Sequence, residues 1–203
     1  MFDYLLGLFA TDGSLQKYEW KSKDKTTYSV CLEMKDLDII EKVANHFDTT
    51  VRSRVRRINN KEHKFYSCLL NCGKVDSYAK FLEDKPKIIN YFKKATQEQQ
   101  NNFMRGAFDG DGGICKKKPK GLRVYICANS KDGLEKVYEH WFETNEIVYS
   151  KYFDKRGAGA YNYNVGNQQK IKKLCELIYA NDKMSLDRKK EIFLKNGFLD
   201  TEM

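Results

Sequence analysis

Two stretches of the chain are apolar at almost every position and end in the same way. Leu5-Leu6-Gly7-Leu8-Phe9-Ala10 runs into Thr11-Asp12-Gly13, and ninety-nine residues on Met104-Arg105-Gly106-Ala107-Phe108 runs into Asp109-Gly110-Asp111-Gly112. Each predicts a short helix with small residues along one side and an Asp-Gly at its end. The period then shortens to that of strands. Alternation predicts one hairpin over residues 14–21 and 28–35, and another over 113–118 and 122–129. Helical spacing returns with Ile39, Ile40, Val43 and Phe47 on one stripe, and again with Leu134, Val137, Tyr138 and Trp141. Two further strands follow each of these helices, 51–58 and 65–72 in the first half, 147–156 and 161–167 in the second. Asn59-Asn60-Lys61 and Gly157-Ala158-Gly159 form the turns between them. Closing helices are predicted around 75–82 and 171–180, and Ser185-Leu186-Asp187-Arg188 starts a last one.

The order is αββαββα, twice, and residue identities repeat with it. Glu41-Lys42-Val43-Ala44-Asn45-His46-Phe47 returns as Glu135-Lys136-Val137-Tyr138-Glu139-His140-Trp141, and Lys35-Asp36 as Lys131-Asp132. Val51-Arg52-Ser53-Arg54 returns as Val148-Tyr149-Ser150-Lys151, and a duplicated unit is the simplest account. Small residues let the two motif helices approach closely, with Gly7, Ala10 and Thr11 facing Gly106, Ala107 and Gly110. The expected fold is α+β, with two pseudo-symmetric αββαββα units packed through the motif helices into a saddle of antiparallel sheets. The halves are expected at residues 1–95 and 96–203, with the polar, partly helical stretch 85–100 around Pro86 as the linker.

Composition adds a partner. A chain of 203 residues with 41% hydrophobic residues is globular rather than disordered. Its formal net charge of +9 suits a polyanion, because neutralised phosphates release condensed counterions on binding. No run reaches the roughly 18 apolar residues of a membrane span, and no basic segment precedes the N-terminal apolar run. The expectation is an intracellular protein, of cytoplasm or organelle matrix, with no membrane partner. Six cysteines occur without a Cys-x-x-Cys pair, and the three histidines are scattered. They read as free buried thiols in a reducing compartment rather than as zinc ligands or disulfides.

The chemistry lies in Asp12 and Asp111. At the ends of two closely packed helices these carboxylates repel one another unless cations sit between them, and hard oxygen ligands favour magnesium. One Asp-Gly after a helix is ordinarily a turn that ends it; two in symmetric positions of a duplicated basic protein read as a metal site. Asp3 and Asp109 have no such counterpart and read as solvated or capping.

Both copies, over Tyr4 to Gly13 and Phe103 to Gly113, resemble the LAGLIDADG motif, and the chain resembles the monomeric, two-motif LAGLIDADG homing endonucleases. The family's acid at the sixth motif position is present as Asp109 and replaced by Ala10 in the first copy. The resemblance implies that the carbonyls of Thr11 and Gly110 add to the metal ligands. It also implies basic residues beside the metals: Arg188 and Lys189 in the last helix, with Lys94 or Lys93 as their counterpart in the first half. Mg2+ is the expected cofactor, with Mn2+ able to substitute and Ca2+ supporting binding only.

The strands supply the reading surface. In Val51-Arg52-Ser53-Arg54-Val55-Arg56 the three arginines share one face, where they are costly to leave side by side without an anion. Arginine presents a planar fork to phosphate or to the guanine edge, and asparagine pairs with adenine in the major groove. Tyr149, Lys151, Asn162 and Asn164 are the matching candidates in the second half, with Gln16, Tyr18, Trp20, Lys117, Arg123 and Tyr125 as further contacts. Two such sheets match two half-sites of a duplex, and their different residues imply a long asymmetric target. The reading is therefore a monomeric, magnesium-dependent, site-specific DNA endonuclease; by the resemblance it cuts both strands across the minor groove and leaves short 3′ overhangs. A non-cleaving DNA-binding regulator on the same scaffold and an RNA maturase that assists intron splicing are the alternatives.

Overall fold

The computed structural model describes residues 1–20, 25–71, 73–117, 121–179 and 182–200, without the side chains of Trp20 and Lys25. Cys72, Pro119 and the predicted element ends Lys21, Lys118 and Ala180 lie outside the described residues. The first half runs α1 (Phe2–Asp12), β1 (Gly13–Trp20), β2 (Lys25–Met34), α2 (Leu37–His46), β3 (Val51–Ile58), β4 (Lys61–Leu70), α3 (Asp76–Leu82) and α4 (Pro86–Lys94). The second runs α5 (Gln97–Asp111), β5 (Gly112–Lys116), β6 (Leu122–Asn129), α6 (Leu134–Thr144), β7 (Ser150–Asp154), β8 (Ala160–Val165), α7 (Gln168–Tyr179) and α8 (Asp187–Lys195). Both sheets are antiparallel and share one topology, β1-β2-β4-β3 and β5-β6-β8-β7. The fold class is thus α+β with two similar halves, as the repeated pattern predicts.

Each sheet is built by its alternation. In β6, Leu122, Val124, Ile126 and Ala128 are buried while Arg123 and Tyr125 are exposed. Asn59 and Asn60 both take positive φ, 49° and 61°, and so make the tight β3–β4 turn that their sequence announces. The stretch 85–100, expected as a partly helical linker, is largely helical. Ile88 and Phe92, one turn apart, are buried and set the inner face of α4. Thr96 then opens α5 with a reciprocal capping box: it accepts from the Gln99 amide, and the Thr96 amide donates to Gln99 Oε1.

The chain forms two compact units, which do not coincide with the repeat boundary. Met1–Thr11 joins Asp84–Met203, and Asp12–Glu83 forms the other. The first unit takes the N-terminal helix because α1 lies directly on α5. A methyl group added at Gly7 would strike the Phe103 carbonyl and lie 2.9 Å from the Ala107 nitrogen. One added at Gly106 would strike the Tyr4 carbonyl and lie 2.8 Å from the Leu8 nitrogen. The two glycines face each other's helix reciprocally, as the small-residue stripes predict, and only hydrogen at Cα permits that backbone-to-backbone approach. Tyr4, Leu5, Leu6, Leu8 and Phe9 are fully buried. In the second unit the sheet packs its inner face, with Val30, Leu32 and Leu70, under Ile39, Ile40 and Val43 of α2. Among the described residues no helix is long and apolar enough to cross a membrane.

Candidate active site and sheet faces

Asp12 is the last residue of α1 and Asp111 the last of α5, and a strand begins at the next residue in each case. Both are half-buried. In the unit that holds Asp111, burial pushes its carboxyl above the usual range, opposed by the charges of Lys189 and Lys85 and reinforced by Asp132. Lys189 is 3% exposed and donates to the carbonyls of Phe108, Asp109 and Gly112, at 2.5, 2.9 and 2.6 Å. These three bonds use all three ammonium hydrogens and draw together the carbonyls around the end of α5. Lys189 therefore meets Asp111 as a fixed positive charge.

The first motif helix ends on a similar device. Lys85 donates to the carbonyl of Ala10 at 2.9 Å and to Asp132 Oδ2 at 2.8 Å. The residue that reaches the end of α1 is thus Lys85, at the start of α4. Lys94, the expected counterpart, is exposed at the far end of that helix. Lys85 falls in the expected linker, where its only sequence signal is a lysine next to Pro86. Arg188 is exposed on α8. The Thr11 hydroxyl donates back to the carbonyls of Gly7 and Leu8, and Gly110 is half-buried one residue before Asp111.

Asp109 and Asp3 are neither solvated nor capping. Asp109 is 1% exposed and accepts from Tyr4 Oη at 2.9 Å, Tyr179 Oη at 2.6 Å and the Leu186 amide at 2.9 Å. It ties α1, α5, α7 and the start of α8 together; burial raises its carboxyl pKa against those donors and the Lys189 charge. Asp3 is 7% exposed and accepts from Tyr91 Oη of α4. The sequence carried no sign of this, because the tyrosines that serve both acids are distant in the chain. Arg105, one turn before Asp109, is likewise buried and donates to the carbonyls of Ile178 and Met184.

Strand register decides which residues share a face. In the unit Asp12–Glu83, Gln16 pairs with Ser29, Tyr18 with Thr27, and Arg52, Arg54 and Arg56 with Ser67, Phe65 and His63. Gln16, Tyr18 and the three arginines therefore stand on one face of this sheet, and all are exposed. Tyr18 Oη donates to Gln16 Oε1 at 2.6 Å. The side chain of Trp20 lies outside the described residues. The anion that the arginines require is internal: Glu33 pairs with Arg54 Nε at 2.5 Å and Arg56 Nη2 at 2.6 Å. Val55, which alternates with the arginines on β3, is 62% exposed, as this edge strand is exposed along its whole length.

In the other sheet Arg123, Tyr125, Asn162 and Asn164 fall on one face, with Gly113 opposite Tyr125 and Lys117 just past the end of β5. The Tyr125 ring lies over Gly113, whose missing side chain leaves the room for it. Asn162 is 8% exposed and accepts from Cys127 Sγ at 2.9 Å. Tyr149 and Lys151 are not on this face. Lys151 pairs with Tyr163 in register and turns to the helix side, bonded to Glu139 of α6 at 2.6 Å. Tyr149 packs its ring on Phe142 and Tyr163. The β7 residues that share the face of Asn162 and Asn164 are Ser150 and Tyr152, both exposed, and the half-buried Asp154. The repeat aligns Lys151 with Arg54, but β7 begins at Ser150 and presents the alternate residues.

The described cysteines, Cys31, Cys68, Cys115, Cys127 and Cys175, are free thiols. Cys68 and Cys175 are buried and Cys115 is exposed; burial pushes the Cys68 thiol up to about 12. Among the described residues no group of three or more His, Cys, Asp or Glu side chains could hold a metal ion.

Residues 98–179 match the family model of the LAGLIDADG-like domain. No curated protein matches the chain. Solved structures do. The homing endonuclease I-DmoI in complex with DNA and Ca aligns with a TM-score of 0.63 at 19% identity, over 95% of this chain and 96% of that one. The homing endonuclease I-WcaI bound to its DNA recognition sequence aligns with a TM-score of 0.68 at 14% identity, over 93% and 84%. I-DmoI has also been solved with DNA and Mn, and a variant of it with target DNA in the presence of Mg. The fold is that of these homing endonucleases, and the second half carries a LAGLIDADG-like domain. The LAGLIDADG resemblance read from the two motifs is thereby borne out.

Proposed function

We propose that the protein is a site-specific double-stranded DNA endonuclease of the homing type, using Asp12 and Asp111 to hold divalent metal. The observation that carries this reading is the pair of glycine-packed motif helices, each ending on an aspartate, within a fold shared with DNA-bound homing endonucleases. The donor set fits magnesium: carboxylates, with the carbonyls of Thr11 and Gly110, are hard oxygens. Asp111 fits as well, since a half-buried carboxylate pushed towards its neutral form regains its charge beside a cation. Magnesium, when bound, would lower the pKa of a water and neutralise charge on the scissile phosphate.

The chain's own residues set the frame. Lys189 and Lys85 fix the ends of the motif helices and hold positive charge near Asp111, where a phosphodiester would enter. Arg188, exposed beside Lys189, serves the phosphate. Arg52, Arg54, Arg56, Gln16 and Tyr18 contact one half of an asymmetric duplex site. Arg123, Tyr125, Asn164 and Lys117 contact the other, joined by Ser150 and Tyr152.

The test is selection of bound duplexes from a random library in calcium, followed by transfer of the winners to magnesium. The reading expects specific binding in calcium, cleavage of both strands in magnesium, and loss of double-strand cutting in Asp12→Asn and in Asp111→Asn. Double-strand cleavage that survives Asp12→Asn would overturn the assignment of that carboxylate. Specific binding with intact DNA in magnesium would make the protein a regulator on the same scaffold.

A further inference from the structure

Arg54 and Arg56 stand on the exposed face of the β1-β2-β4-β3 sheet, yet neither is a free cation. Glu33 comes from β2, two strands from β3, and takes Arg54 through Nε and Arg56 through Nη2. Its side chain is only 17% exposed, against 57% for Arg54 and 44% for Arg56. Phe65 of β4 lies opposite Arg54, and its ring stacks 5.1 Å from the Arg56 guanidinium. One carboxylate and one aromatic ring thus fix two long side chains that would otherwise rotate freely over the sheet.

The two kinds of DNA contact ask different things of an arginine. Phosphate attraction depends on net charge, because its free energy comes largely from released counterions. A base edge asks for N–H donors in a fixed direction; the guanine O6 and N7 atoms are neutral acceptors. Two guanidiniums that share one carboxylate keep half of their net charge, which weakens the first property, and keep the second. The contact through Nε leaves both Nη nitrogens of Arg54 outside the pair, and the contact through Nη2 leaves Nη1 and Nε of Arg56.

We propose that Glu33 is a specificity-determining residue of this sheet, holding Arg54 and Arg56 for base edges and withholding them from the phosphate backbone. The proposal rests on the DNA-binding reading above and concerns how that binding is divided between sequence-specific and non-specific terms.

The experiment measures binding of the full chain, in calcium, to a selected duplex and to a random duplex of equal length, across a range of salt concentrations. Glu33→Gln is compared with wild type and with Glu41→Gln, a matched loss of charge on an exposed position of α2. Each arginine freed for a phosphate should steepen the log–log salt slope on random DNA by about 0.9. It should also tighten that binding about five-fold at a salt concentration of about 0.15 M. The ratio of random to selected Kd should fall about ten-fold in Glu33→Gln and stay unchanged in Glu41→Gln.

The double variant Arg54→Gln, Arg56→Gln gives a second test should Glu33→Gln fold poorly. It should weaken binding to the selected duplex by about ten-fold or more, and flatten the slope on random DNA by less than the roughly 1.8 that two free arginines would contribute. An unchanged slope and ratio in a folded Glu33→Gln protein would overturn the proposal. So would a random-DNA slope flatter by the full amount, about 1.8, in the double arginine variant. A wild-type protein that selects no duplex would instead overturn the DNA reading, and the proposal with it.

Discussion

Replacing Gly7 or Gly106 by alanine tests the helix crossing on which the whole site depends. In an unpacked helix the change is favourable by about 0.5–1 kcal/mol, since alanine gives up less backbone entropy. Here the new methyl would overlap the Phe103 carbonyl in one case and the Tyr4 carbonyl in the other. The next contacts, 2.9 Å to the Ala107 nitrogen and 2.8 Å to the Leu8 nitrogen, are also backbone. No side chain can swing aside, so the helices must separate, and the fully buried Leu5, Leu8 and Phe9 lose packing. Overpacking of this kind costs about 1–3 kcal/mol, and the absence of a flexible neighbour places it at the upper end. After the helix-propensity gain, a net loss of about 2 kcal/mol remains. In a chain of this size that lowers Tm by roughly 4–8 °C. Urea unfolding followed by circular dichroism should show a lower midpoint with the slope unchanged. The double variant should lose less than the two single losses combined, because helices parted by one methyl also make room for the other. A midpoint at or above wild type in either single variant would refute the crossing.

Lys189→Met should cost about 3 kcal/mol in urea unfolding, because it strips a charged donor from three carbonyls at the end of α5; an unchanged midpoint would mean that the ammonium does not hold them. Asp111→Asn should raise Tm at neutral pH in metal-free buffer. Burial raises the folded pKa of Asp111, so wild type loses stability as pH rises from the ordinary carboxylate range through that raised value. The advantage of the variant should therefore vanish in acid and grow with pH; equal Tm values across the range would count against it. Thr96→Ala should cost about 1 kcal/mol by removing the cap of α5, read from the same urea curves.

Much of the fold was legible because the repeat states it twice. The motif helices, the order αββαββα and the glycine crossing follow from local period and small residues, and those signals are properties of neighbouring positions. What was not legible depends on residues far apart in the chain. Asp109 resembles any helix-end acid until Tyr4 and Tyr179 are brought to it from two other helices. Lys85 sits in a polar stretch, and nothing local says that it reaches Ala10. Strand phase was the other gap. A one-residue difference in the pairing phase of β7 exchanges Lys151 and Tyr149 for Ser150 and Tyr152. The requirement for an anion near the arginines of β3 was evident from their alternation; its source, Glu33, depended on the pairing of three strands.

The placement of α1 also bears on the order in which the molecule can assemble. Its apolar residues are synthesised well before the helix they bury against, which begins at Gln97. Until roughly half the chain has been synthesised, α1 lacks the surface that covers it. Residues 12–83, by contrast, contain their own sheet and helices and meet that condition early. Folding should therefore start in the inserted segment and finish with a late docking of the N-terminal helix, a closure across some ninety residues of chain. Fusions at the N-terminus that slow this docking would leave an apolar helix exposed in an otherwise structured intermediate, and should aggregate more readily than the same fusions at the C-terminus.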